Sequence, residues 1–307
     1  MTVIKSLDQA INAENTVVTI GNFDGIHKGH IKLIKSAVKK AKEKNLKSVV
    51  FTFENHPRRY FKDNSLKNII NNEEKINIFK DLGVDIVFMI PFNKYMTKIS
   101  AIDFVKEILH EKLRCKKVIV GHDFTFARKK EGDANVLKQL CKKYNIETKI
   151  MEPIKINGKR ISSTHIRNLI KNGHVNEIKT FLGRNYTLKG EVVHARKIGR
   201  TIGFPTANMY VDENLIIPKE GIYAVKVYVE KKCYYGATNI GFNPTVNGNK
   251  LSIETNIINF NKEIYGEIIE IEFLDRIRDE KKFNSLEELK IQLKEDIDFV
   301  YKNYIYK

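Results

Sequence analysis

The sequence predicts an α/β domain built on a parallel sheet, followed by a small antiparallel β-barrel with a closing helix. Three observations carry this. In residues 1–182, short apolar runs alternate with lysine-rich helical stretches, as in a sheet covered on both faces. Beyond residue 183 the runs change to polar–apolar alternation, separated by Gly, Pro and Asn turns. The length of 307 residues suits two domains of ordinary size. The expected domains are therefore 1–182 and 183–307.

In chain order, Thr16–Gly21 reads as a buried strand. A glycine-punctuated turn and a helix over 29–44 follow, with Ile31, Leu33, Ile34, Ala37, Val38 and Ala41 on one face. Ser48–Phe53, Val84–Ile90, Lys117–Gly121 and Ile146–Met151 read as further strands. Helices near 72–82, from Ser100 onward, and near 133–144 connect them. In the second half the expected strands are Leu188–Val193, Gly221–Val229, Tyr234–Ile240, Leu251–Ile258 and Glu267–Leu274. Asn239–Thr245 reads as a turn, and Ser285 with Glu288 forms a capping-box signature ahead of Leu286, Leu289 and Leu293.

Composition limits the classes of function. The formal net charge is +17, and +16 of it lies in residues 1–182. That asymmetry fits either a solvated lysine surface or a polyanionic partner, nucleic acid included. No run approaches the roughly 18–20 apolar residues of a membrane span, and the N-terminus lacks the pattern of a signal peptide. Cys115, Cys141 and Cys233 are widely spaced and odd in number, which speaks against a disulfide framework or a zinc site and fits a reducing cytoplasm.

Two constellations carry chemistry. Thr19–His30 follows a strand and opens a helix, where free backbone N–H groups and the helix dipole favour an anion. Gly21, Gly25 and Gly29 permit tight turns around Phe23, and His27 and His30 are three apart, so both imidazoles face one side of the helix start. Two donors there would stabilise charge on a transferred phosphate. Gly158–Arg167 offers a second anion site, with Ser163 and Thr164 as capping residues flanked by Arg160 and Arg167. No P-loop and no G-x-G-x-x-G fingerprint occurs.

In the second half, Gly199, Arg200 and Gly203 form a basic glycine loop suited to phosphate contacts. Pro205 precedes Thr206, and Asn208 stands two residues on, so the hydroxyl and the amide carbonyl point the same way. Such hard oxygen donors suit nucleotide-bound Mg²⁺. Glu254 stands in a strand as a lone acid.

Taken together these stretches resemble the bacterial bifunctional riboflavin kinase/FAD synthetases (FMN adenylyltransferases). The first half matches over Thr19–His30, Phe51–Pro57, Val120–Phe126, Gly132-Asp133 and Arg160–Arg167. The second half matches over Gly203–Asn208, Gly221–Val225, Asn239–Gly241, Pro244-Thr245, the Glu254 strand, Tyr265-Gly266 and Ile277–Phe283. The resemblance implies a Rossmann-like nucleotidyltransferase domain, in which His27 and His30 contact the ATP phosphates, helped by Ser163, Thr164 and Arg167. His56, Pro57, Asp123, Phe124 and Phe126 would line the flavin or nucleotide site. It implies a kinase barrel in which Thr206 and Asn208 bind Mg²⁺–ATP and Glu254 accepts the proton of the ribityl 5′-hydroxyl. ATP would be co-substrate, and FMN and FAD substrate and product, with no nucleic-acid or membrane partner. Three positions depart from the family pattern: Ala127 and Ala195 replace glycines, and Ile198 precedes Gly199. Two alternatives stay open on the residues: a kinase whose first domain is inactive or serves another acceptor, and a flavin-sensing nucleic-acid binder.

Overall fold

A computed structural model describes residues 1–9, 13–61, 66–156, 158–194, 203–245 and 248–306, in two compact units, 1–163 and 164–307. The first unit is built on a six-stranded, all-parallel sheet. Its order across the sheet is Thr2–Ile4, Ile86–Ile90, Lys47–Phe53, Thr16–Ile20, Cys115–Gly121 and Glu147–Met151. Thr16–Ile20 is buried along its whole length, Thr16 and Thr19 included, as a central strand of a sheet covered on both faces requires. Val18, Ile20, Val49, Phe51, Val118 and Val120 pack in one core with Phe104, Val105, Ile108, Leu137 and Cys141. The helix Lys28–Glu43 buries Leu33, Ile34, Ala37, Val38 and Ala41, while Ile31 of the expected face stays partly exposed.

The chain after Thr16–Ile20 crosses to Lys47–Phe53 on one side of it, and Cys115–Gly121 lies on the other. The strand order therefore reverses at Thr16–Ile20. In open α/β sheets, the crevice at the carboxyl ends of the strands flanking such a reversal is where ligands bind. The sequence reading missed Thr2–Ile4, which is only three residues long and pairs with residues 86–88, more than eighty positions away.

The second unit is a closed antiparallel barrel of six strands. Around it run Tyr186–Val193, Ala207–Val211, Gly248–Ile257, Lys232–Thr245, Gly221–Val229 and Ile268–Arg278. Two expectations are corrected here. Ala207–Val211 is a sixth strand, too short to show its alternation. Asn239–Thr245 is not a turn: its ladder with the next strand continues from Asn239↔Glu254 to Thr245↔Gly248, so the asparagines and Pro244 sit at the end of one long strand.

The helix Leu286–Val300 closes the unit, with the Ser285 side chain accepting from the Glu288 N–H as its signature predicts. Only Asp296 and Val300 of this helix are buried; Leu286 is 58% exposed. The helix Val175–Leu182 ends on left-handed Gly183 and packs on the barrel strands, which places the compact division at 163/164, upstream of the position where barrel strands begin.

Candidate active sites

The first site is built on the turn that leaves Thr16–Ile20. Phe23, Gly25 and Ile26 all have positive φ, at 49°, 78° and 39°, so the loop folds back sharply before the helix starts. A β-branched residue there carries strain of the kind that clusters at functional sites. His27 caps the helix, its Nδ1 accepting from the His30 N–H at 3.2 Å. A neutral imidazole has one acceptor and one donor, so the cap fixes the His27 proton on Nε2. The two histidine rings stack at 3.7 Å and 16°, and the Phe23 edge meets the His30 ring at 5.2 Å.

Burial pushes His27 down to about 4, with Arg160 adding to the drop and the backbone hydrogen bond and Asp123 opposing it. Burial, then the charges of His27 and Lys75, hold His30 well below the ordinary range. Both rings are thus neutral near pH 7. Their small neighbours are explained by this packing: a Cβ at Gly29 would stand 3.0 Å from the His27 ring, and one at Gly21 3.1 Å from the Phe23 ring.

Arg160 pairs with Asp123, and both charges act on His27, so the Gly121–Phe126 loop and the Lys159–Arg160 strand meet beside the histidines. Ser163 donates through Oγ to the Asp24 carbonyl at 2.9 Å, tying the Gly158–Arg167 segment to the first turn. Thr164 and Arg167 belong to the second compact unit, where Thr164 is exposed and Arg167 buried on the same helix. His56 caps the short helix that begins at Pro57 and lines a cleft with Asn22, Asp24, Phe53, Glu54, Asn68 and Lys75. Phe124 is half-buried and stacks at 5.5 Å on Phe126, which sits in the core against Phe104. Ala127 takes φ +66° and ψ −178°, a region that favours glycine, as the departure from the family pattern led one to expect.

Sequence reasoning missed the cleft residues Asn22, Asp24, Asn68 and Lys75. Lys75 stands four residues before Phe79 on the same helical stripe, and both are buried.

The second site lies on three adjacent barrel strands. Asn208 faces Glu254 across one ladder, and Glu254 faces Asn239 across the next. Directly opposed residues project to the same face, so these side chains form one row. Ser252 donates through Oγ to Glu254 Oε1 at 2.8 Å and lies 3.3 Å from Asn208 Oδ1. A hydroxyl has a single proton, and the shorter contact claims it. The Asn208 oxygen therefore keeps its lone pairs. Glu280 accepts from Asn239 Nδ2 at 3.4 Å and packs against Gly241, where a Cβ would collide with the carboxylate.

Thr206 and Asn208 are partly exposed, and Gly203 has φ +86°. Gly199 and Arg200, with the variant positions Ala195 and Ile198, lie outside the described residues. Among the described residues no group of three or more His, Cys, Asp or Glu could hold a metal. A nucleotide-borne Mg²⁺ fits the hydroxyl and amide oxygens at Thr206 and Asn208 instead.

A family model described as FAD synthetase matches residues 9–165, and one described as riboflavin kinase matches residues 182–304. The chain belongs to the bifunctional riboflavin kinase/FMN adenylyltransferase family. The enzyme of that name from Listeria monocytogenes is 39% identical over 285 residues, covering 92% of this chain and 90% of the relative. That of Bacillus subtilis is 37% identical over 290 residues, with the same coverage. That of Haemophilus influenzae is 34% identical and covers 97% of both chains. A crystal structure from Streptococcus pneumoniae, described as a macrolide-efflux protein, superposes with a TM-score of 0.91 at 34% identity and 98% coverage of each chain. In this family member, no helix among the described residues is long and apolar enough to cross a membrane.

Proposed function

We propose that the barrel phosphorylates riboflavin and that the first unit adenylylates the FMN produced. The observation that carries the kinase assignment is the Asn208–Glu254–Asn239 row with Ser252 bonded to the carboxylate. Glu254 takes the proton of the ribityl 5′-hydroxyl as its oxygen bonds to the γ-phosphorus of ATP; the bond to the β-bridging oxygen breaks and ADP leaves. Thr206 and Asn208 would hold Mg²⁺, which neutralises phosphate charge when bound. Ser252 orients the base. Gly203, with Gly199 and Arg200 alongside it in sequence, would receive the phosphates.

In the first unit an FMN phosphate oxygen bonds to the α-phosphorus of ATP, and the bond to pyrophosphate breaks. The reaction requires no protein nucleophile; positioning and electrostatics supply the catalysis. His27 donates from Nε2 to phosphate oxygen, and His30 stacks behind it. Arg160 and Ser163 would hold the triphosphate, the role the resemblance also gives Thr164 and Arg167, and His56, Pro57, Asp123 and Phe124 would line the flavin or nucleotide site. Phe126, buried behind Phe124, supports that loop from the core. The functional division runs at 182/183, supported by the riboflavin kinase match that begins at residue 182. A cytoplasmic location is supported by the three free cysteines, of which Cys115 and Cys141 are buried.

Incubation with riboflavin, ATP and Mg²⁺, with flavins separated over time, should yield FMN first and FAD second. Glu254→Gln should abolish FMN formation while leaving FAD formation from supplied FMN within about twofold of wild type; His27→Ala/His30→Ala should do the reverse. FMN without FAD removes the adenylyl transfer, and equal loss of both activities in either variant contradicts separate sites.

A further inference from the structure

Lys75 occupies a place where a lysine is costly. It lies on the helix Asn72–Asp81, one turn before the fully buried Phe79, and only 6% of its surface is exposed. Removing an ammonium from water costs several kcal/mol unless it is paired. The pairing here is thin. Of the three donors on Nζ, one reaches the Asn22 carbonyl, at 3.3 Å. Asp24 is near enough to favour the charge, but its Oδ1 already accepts from the Ile69 N–H at 2.9 Å. Burial pulls the Lys75 ammonium below its ordinary range, with the Asp24 charge opposing the shift. And Lys75 lines the cleft with Asn22, Asp24, Phe53, Glu54, His56 and Asn68.

Its position relative to the sheet separates it from the other cation. The Arg160–Asp123 pair sits at the end of Cys115–Gly121, on one side of Thr16–Ile20. The cleft with Lys75 opens beyond Phe53, at the end of Lys47–Phe53, on the opposite side. The histidine pair stands between them, at the end of Thr16–Ile20 itself. In-line displacement at phosphorus places the entering and leaving oxygens on opposite sides of the reacting atom. Two cations flanking the histidines match two anions flanking that atom.

Resting on the adenylyl-transfer reading above, we infer that Lys75 binds the acceptor's phosphomonoester, the entering group, while the Arg160 side takes the departing pyrophosphate. Lys75 thereby distinguishes a phosphorylated flavin from an unphosphorylated one. A charge-assisted hydrogen bond contributes about 1.5–3 kcal/mol, which sets the expected effect at about tenfold or more.

The test uses the full chain with Lys75→Gln, which keeps a donor for the Asn22 carbonyl, and Lys75→Met, which keeps the stem. Riboflavin phosphorylation serves as the internal control. Both variants should raise KM for FMN in FAD synthesis about tenfold or more, with KM for ATP changed less than about twofold, and Lys75→Arg should recover most of the loss. An unchanged KM for FMN, or an equal rise for FMN and ATP, overturns the assignment. Calorimetric titration with FMN and with riboflavin, without ATP, is run beside it. Weakened FMN binding with riboflavin binding intact supports Lys75; an unaltered FMN titration overturns it. A wild-type chain that makes no FAD from FMN and ATP removes the adenylyl-transfer reading instead, and the titration still decides Lys75.

Discussion

Ala127 is a residue in a conformation made for another. Its φ of +66° with ψ of −178° costs a Cβ-bearing residue about 1–3 kcal/mol, and glycine gives back part of any gain through its looser unfolded chain. Ala127→Gly should stabilise the chain by about 1 kcal/mol, read as a higher urea midpoint; an unchanged or lower midpoint contradicts the strain. His27 gives a pH dependence of definite sign. Its imidazole titrates near 6.5 when unfolded and near 4 when folded, so between those values the unfolded chain binds more protons and stability falls as pH falls. His27→Asn keeps a capping oxygen and removes the titration. Its thermal midpoint should drop less between pH 7 and pH 5 than the wild-type midpoint, and an equal drop excludes His27 as the cause. The histidine pair was legible because its spacing is local. Lys75 was not, because a lysine among Asn72, Glu73 and Glu74 looks solvated until the packing of Phe79 turns that face inward.

At the scale of elements, the barrel's last strand and the closing helix are joined by one strong brace. Arg278 donates from Nε and Nη2 to both oxygens of Asp296, at 2.8 and 2.7 Å, and Asp296 is 1% exposed. Removing one partner of such a pair strands the other, at a cost of about 3 kcal/mol. Asp296→Ala should lower the unfolding free energy by about that amount, read as a lower urea midpoint, and pairing it with Arg278→Met should restore much of the loss. A double variant as unstable as the single would show that the ion pair is not what the helix depends on. The same strand end carries Glu280 to Gly241 and Asn239, so the brace also fixes one wall of the Asn208–Glu254–Asn239 row. None of this could be read along the chain. The capping signature at Ser285 predicted where the helix starts, whereas Arg278 and Asp296 are eighteen residues apart and meet only through the fold. Ala207–Val211 escaped detection for a related reason: five residues define a strand by their ladders to Val193 and Glu254, not by their own pattern.

For the whole molecule, the alternation of periods was enough to separate a parallel sheet from a barrel, since each period follows from which faces are buried. The order of strands within each was not legible, because pairing is a property of distant segments. The charge of +17 also takes on a narrower meaning. Buried Lys117 pairs with Glu147, and at the surface Lys40 pairs with Glu43 and Arg128 with Glu131, so part of this charge answers nearby acids. Lys75 and Arg160, the latter paired with Asp123, are set in or beside the first site. A net charge counts residues, but a site depends on where two or three of them are held.

The reversal of strand order at Thr16–Ile20 has a consequence for how such a chain can change over time. The crevice there is produced by the path of the backbone, not by any side chain that lines it. Substitution can therefore alter what is held without moving where it is held. An ancestor with another acceptor and a descendant with a new one would share the same address, and drift around the cleft would edit the occupant while the location is inherited intact.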